Sequence, residues 1–184
     1  MATPATSSAV SVRPLAVCLL SAVLLLPFAA AIDAIGQGQA RAELGVRIVK
    51  QPYMLCLAAS VSMVLEYWGH RVTPAALAEQ VAVYKGGTTG SDYVKIVEAL
   101  GFHAFLIQPP FEDLLGHLDK NRPVIVSLPE RGGRHAMVLV GYDLPAGKVW
   151  LNDPAAGERK AHAIDAFRRQ WEKGDRWTLL IVPR

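Results

Sequence analysis

Cysteine is nearly absent from this chain. Its 184 residues include two, Cys18 and Cys56. Cys18 lies within an N-terminal apolar run, so removal of that run in processing leaves Cys56 alone. A lone cysteine excludes an intramolecular disulfide and a thiolate zinc site. What remains is either a buried, inert thiol or a reactive one. An excess of charge of one sign is also missing. Lys and Arg number 19 against 16 Asp and Glu, for a net charge of +3. The basic residues are scattered without a dense run, which argues against a nucleic-acid partner. The five histidines show no convincing metal spacing, so no metal is expected. Gly86-Gly87-Thr88-Thr89-Gly90 lacks the lysine of a phosphate loop, and no cofactor is expected either. Internal repeats and low-complexity tracts are missing.

Long apolar runs are limited to one. Leu15 to Phe28 is a stretch of roughly fourteen residues, short of the roughly twenty a bilayer-spanning helix needs. Arg13 precedes it and Ala29-Ala30-Ala31 follows, the layout of a secretory signal over residues 1–31. A second small-residue site, Ala40-Arg41-Ala42, allows cleavage as late as 42. The expected location is therefore periplasmic or secreted. The alternative is an uncleaved N-terminal anchor, and membrane association is expected only through this segment. Cys18 comes too early in the run, after bulky Val17, for a lipid-attachment site. Residues 32–45, rich in Gly, Gln and Ala, read as a linker. One domain is expected over 46–184, a length that can bury a core of its own.

Within that domain the pattern changes midway. Leu57, Val61, Val64, Leu65 and Trp68 recur at helical spacing over Leu55 to Trp68, and Gly69 stops the helix. Thr73 and Pro74 open a second helix, Pro74 to Val83. Ser91 is expected to cap a third over Asp92 to Leu100. Phe102 to Ile107 reads as a strand and Phe111 to Leu118 as a helix. Strands follow at Pro123 to Leu128, His135 to Tyr142 and Lys148 to Asn152, with a charged Gly-rich loop at Glu130 to Arg134. Ile164 to Glu172 reads as a helix and Trp177 to Val182 as a last strand. Helices first and antiparallel strands second make an α+β domain.

Three positions carry chemistry. Cys56 opens the first helix, where free N–H groups and the helix dipole favour a thiolate. His135 and Asp153 lie nine residues either side of Leu144, the centre of a hairpin. Odd residues then pair with odd ones, so both side chains share a face, directly opposite or one pair off. A carboxylate in that place fixes an imidazole tautomer and stabilises the imidazolium. Gln51, five residues before Cys56, has a side-chain amide suited to an oxyanion, together with the Cys56 N–H. Each has a plainer reading: a small core residue, a surface histidine, an Asp-Pro turn, an ordinary polar residue before a helix. His70, His103, His117 and His162 offer weaker cases.

Taken in order, these segments resemble the C39-type peptidases, papain-like enzymes that remove bacteriocin leaders after a double glycine. QPYMLCLAASVSMVLEYWG (Gln51 to Gly69) resembles their nucleophile helix, and GTTGSDYVKIVEALGF (Gly87 to Phe102) their second motif. RPVIVSL, HAMVLVGYD and VWLNDPAAG resemble the strands of the family's His and Asp-Pro motifs. AFRRQW and WTLLIVP resemble its closing helix and strand. The likeness covers Val49 to Pro183. It implies a papain-like fold with N-terminal helices packed on a C-terminal antiparallel sheet. It also implies Cys56 as nucleophile, His135 as general base and acid, Asp153 as orienter and Gln51 as oxyanion donor. Two departures stand out. The family sets Gln six residues before Cys, where Lys50 stands here, and often has Gly after Cys, where Leu57 stands. Many members are fused to an ABC transporter; ATP binding is not carried over.

The expected function is that of an exported cysteine peptidase acting on a peptide or protein, with Gly-Gly specificity implied by the resemblance alone. Two alternatives remain open at the level of sequence. One is an inactive domain that holds a peptide in the same groove. The other is a papain-like acyltransferase with an amine acceptor.

Overall fold

The computed structural model describes residues 40–81 and 89–184. The expected signal segment, most of the expected linker, the end of the second helix and most of the Gly86–Gly90 loop fall outside them. Elements follow in the order β1 (Arg41–Glu43), α1 (Cys56–Tyr67), α2 (Pro74–Ala78), α3 (Gly90–Ala99), β2 (Phe102–Ile107) and α4 (Phe111–Asp119). The second half is β3 (Val124–Glu130), β4 (Gly133–Asp143), β5 (Lys148–Asp153), β6 (Glu158–Ala163), α5 (Ile164–Lys173) and β7 (Thr178–Pro183). The strands form a seven-stranded antiparallel sheet of order β2-β7-β3-β4-β5-β6, with β1 paired to β4. The α+β arrangement expected from the sequence is the one observed.

Helix α1 is the centre of the core. Every residue from Leu57 to Leu65 is buried, polar ones included. Ala58, Ala59, Ser60 and Ser62 are small, which lets the helix backbone approach the sheet closely. Buried hydroxyls need partners, and both serines have one. Ser60 Oγ donates to the Ala136 carbonyl at 3.2 Å, and Ser62 Oγ to the Val72 carbonyl at 2.5 Å. The first of these bonds ties α1 to β4. Strand β4 is itself buried at every position from His135 to Tyr142, the pattern of a strand covered on both faces.

Several boundaries differ from expectation, each for a local reason. Helix α2 ends at Ala78, where N–H groups of Gln80 and Val81 switch to carbonyls three residues back. Helix α3 starts earlier than Asp92 and is capped by Thr89 rather than Ser91. The Asp92 carboxylate reaches back to accept from Thr89 N (3.3 Å) and Thr89 Oγ1 (2.5 Å), as in a capping box. The Glu130–Arg134 loop shrinks to a two-residue turn, Arg131-Gly132, because β3 and β4 pair out to Glu130↔Gly133. Gly132, at φ +86°, supplies the left-handed residue this turn requires. Two strands carry no sequence signal of their own. Strand β6 (ERKAHA) lies at one edge of the sheet and has no fully buried residue. Strand β1 is too short to show a pattern, and exists through its pairing with Gly141 to Asp143.

The register of the β4–β5 hairpin positions the site. Near the turn, odd residues of β4 face even residues of β5, as in Gly141↔Trp150. A bulge between Leu139 and Gly141 leaves Val140 without a register partner on β5, and beyond it odd faces odd, as in Leu139↔Leu151. Such an extra residue re-aims the side chains that follow. Continued, this register sets Asp153 opposite Met137. His135 is the next residue of β4 on the same face, diagonal to Asp153.

Candidate active site

Cys56 is the first residue of α1. Its helix has no side-chain cap at Leu55 and no acidic residue in the first turn. The N–H groups and dipole of that turn are therefore left to an anion, and the thiol is the nearest group able to become one. The approach to the helix is tight. Met54 adopts φ +60°, costly for a residue with a side chain. The Leu55 N–H closes a turn on the Pro52 carbonyl at 3.1 Å.

His135 and Asp153 are both buried, their side chains 8% and 11% exposed. His135 Nε2 lies 2.8 Å from Asp153 Oδ1. The Cys56 thiol lies beside the imidazole and interacts with it, and both residues border one cavity. Asp153 is held from several sides. Oδ1 also accepts from the N–H groups of Ala155 (2.9 Å) and Ala156 (3.3 Å), and Oδ2 accepts from Lys160 Nζ at 2.9 Å.

Charges follow from these contacts. Burial pushes the Cys56 thiol up, but the bonds to His135 and to backbone N–H groups outweigh it and hold the thiol below its ordinary value. Burial pushes His135 down, yet Cys56 and Asp153 raise it to about 9. Burial raises Asp153, while Lys160 and His135 lower it to about 2. All three directions describe one charge state: thiolate, imidazolium and carboxylate in a row. This arrangement supplies a nucleophile and a proton donor together at neutral pH.

Gln51 joins the site despite its shorter spacing from Cys56. Its N–H donates to the Pro154 carbonyl at 2.9 Å, so the arm is pinned to the turn that follows Asp153. Lys50, at the spacing the resemblance favours, instead lays its alkyl stem against Gly157. Gln51 lines a cavity of about 180 Å³ with Cys56, His135 and the β3–β4 turn. Its Oε1 is buried without a hydrogen-bond partner among the described residues. A second cavity, about 340 Å³, also borders Cys56. Trp177, Met54, Leu57 and Ala136 give it apolar wall, and Ser127 and Thr89 give it polar groups. Gly90 belongs to this wall: a Cβ there would stand 2.5 Å from the Trp177 ring. Cys56 therefore borders both cavities, together with Met54, Gly133 and Arg134. The charge on Lys160 was the feature sequence reading missed, since a polar edge strand gives no sign of pointing inward.

A sequence model of the Peptidase_C39 like family matches residues 43–178. The chain belongs to that family. No curated protein sequence matches it. Among solved structures, the peptidase domain of Streptococcus ComA, a bi-functional ABC transporter involved in a quorum sensing pathway, is similar with a TM-score of 0.64. It is 21% identical and the match covers 76% of this chain and 99% of that one. A putative C39-like peptidase from Bacillus anthracis gives 0.65 at 18% identity, over 78% of this chain and 98% of that one. A double glycine motif protease from an AMS/PCAT transporter, solved in complex with its leader peptide, gives 0.61 at 24% identity. That match covers 78% of this chain and 95% of the other. The C39-like chain therefore has the papain-like peptidase fold that its motifs imply.

Proposed function

We propose that this C39-like domain is an exported cysteine peptidase whose nucleophile is Cys56. The observation that carries this reading is the buried His135–Asp153 pair at 2.8 Å beside the Cys56 thiol, which borders two cavities. The thiolate attacks a peptide carbonyl carbon, and the π electrons of the C=O bond move to its oxygen. The oxyanion takes hydrogen bonds from the Cys56 N–H and the Gln51 side-chain amide. As the intermediate collapses, His135 gives its proton to the departing amine and an acyl-enzyme remains. Neutral His135 then takes a proton from water, whose oxygen attacks the thioester. Collapse expels the Cys56 thiolate and restores the imidazolium. Asp153 keeps one tautomer of His135 in place throughout.

A peptide substrate is supported by the cleft and by the similar protease solved with a leader peptide. Cleavage after Gly-Gly is part of the proposal. The test is incubation with a mixed peptide library, read by mass spectrometry, beside Cys56→Ser. New termini following Gly-Gly are expected with the wild type and not with the variant. Intact peptides in both reactions overturn the peptidase reading and favour a peptide-holding domain. Transfer to an added amine, in place of hydrolysis, favours the acyltransferase. Export rests on the signal-like segment at residues 1–31. Protein recovered from the periplasm or medium is expected to begin between Ile32 and Glu43. An intact Met1 in the membrane fraction would instead mark an anchor.

A further inference from the structure

Asp153 has a neighbour on each adjacent strand. His135 on β4 takes Oδ1 at 2.8 Å, and Lys160 on β6 takes Oδ2 at 2.9 Å. The sheet dictates this symmetry. Glu158 lies directly opposite Asp153 and Lys160 opposite Leu151, so Lys160 is diagonal to Asp153 on the same face, as His135 is on the other side. A carboxylate directly opposite another is an unfavourable cross-strand pair. Lys160 stands between them, 3.7 Å from Glu158 Oε1.

We infer that Lys160 is a positioning residue for the Cys56–His135 pair, acting through Asp153, an inference that rests on the peptidase reading above. Its ammonium fixes the second carboxylate oxygen, which stops Asp153 from rotating out of the plane of the imidazole. Its charge offsets Glu158 and keeps Asp153 anionic. It also draws electron density from the carboxylate, which weakens the hold on the imidazolium proton and so moderates the basicity of His135. The ionisable groups facing this cluster are Cys56 on α1, His135 on β4, Glu130 on β3, and Glu158 and His162 on β6. Beside them Lys160 adds the positive charge of its ammonium. The side chain is 40% exposed, so the effect is of the size of a surface ion pair, read as a shift in a titration and not as a collapse of the fold.

The test is the pH dependence of Cys56 alkylation by iodoacetamide in the full domain. The wild-type profile is expected to have a low step, where the thiolate–imidazolium pair forms, and a high step, where the imidazolium loses its proton. Removing the positive charge makes both protons harder to lose. Lys160→Met and Lys160→Gln are each expected to move both steps upward by about half a pH unit, and Lys160→Arg to restore the wild-type profile. A purely structural role would change urea stability in all three variants without that pattern. Lys160→Met and Lys160→Gln profiles that superimpose on the wild type overturn the inference while leaving the ion pair intact. A wild-type profile with one ordinary thiol step, unchanged by His135→Ala, overturns the peptidase reading itself.

Discussion

His135→Ala is expected to silence Cys56. With the imidazole gone, the contributions that lower the thiol pKa shrink to a few backbone N–H groups, while burial, which raises it, remains. The thiol then titrates at or above its ordinary value. For a thiol of pKa about 8.5, less than about 1% is ionised at pH 6. Iodoacetamide alkylation at pH 6 therefore falls strongly relative to the wild type, whose thiol is held below its ordinary value, and approaches it only in strong alkali. Peptide cleavage loses in addition the proton donor for the leaving amine, worth about 10²–10⁴-fold. The measurement is a pseudo-first-order alkylation rate at several pH values, beside kcat/KM on a peptide found by the library screen. Equal alkylation of wild type and variant at pH 6 rejects the ion pair.

Asp153→Ala is expected to damage both activity and stability, and the stability effect has a defined pH signature. The carboxylate accepts four hydrogen bonds in a site 11% exposed. Alanine leaves the Ala155 and Ala156 N–H groups and the imidazole without that acceptor, a loss of about 3 kcal/mol. The folded-state pKa of Asp153 is lowered from 3.8 to about 2. Its contribution to stability is therefore complete above pH 3.8 and disappears as pH falls toward 2. His135 has the opposite sign. Raised from 6.5 to about 9, it contributes fully below 6.5 and loses that contribution as pH rises through 9. Urea melts across pH are expected to show the wild type exceeding Asp153→Ala by the largest margin between about pH 4 and 6.5. Curves that stay parallel down to pH 2 contradict the assignment.

Much of this site was legible because its residues carry local signals. Cys56 opens an apolar-periodic run, and the structure starts α1 there. Phe102 to Ile107 is bounded by Gly101 and by Pro109-Pro110, and that strand matches its expected limits. The pairing of His135 with Asp153 was inferred from parity about Leu144, and the contact is present. The route differs, however. The hairpin is centred further along the chain, and odd faces odd only because Val140 bulges. No residue type announces that bulge, since a buried valine suits a regular strand equally well. The edge strand β6 was hidden for the opposite reason. Every residue of it is exposed or half-buried, so no apolar alternation marks the strand, and nothing hints that Lys160 turns inward. The Thr89 cap was missed because Ser91 is chemically as good a cap. The choice falls to Asp92, which reaches back to Thr89.

The bond from Ser60 Oγ to the Ala136 carbonyl has a mechanical meaning. His135 and Asp153 belong to adjacent strands, and the sheet's own hydrogen bonds set the distance between them. Cys56 belongs to a helix that merely rests on that sheet. A shift of α1 along its axis changes the sulfur–imidazole gap and leaves the imidazole–carboxylate gap untouched. Ser60 sits one helical turn from Cys56 and grips the residue that follows His135. It is the pin of that sliding joint, and it ties the thiol's helix to the strand that carries the imidazole.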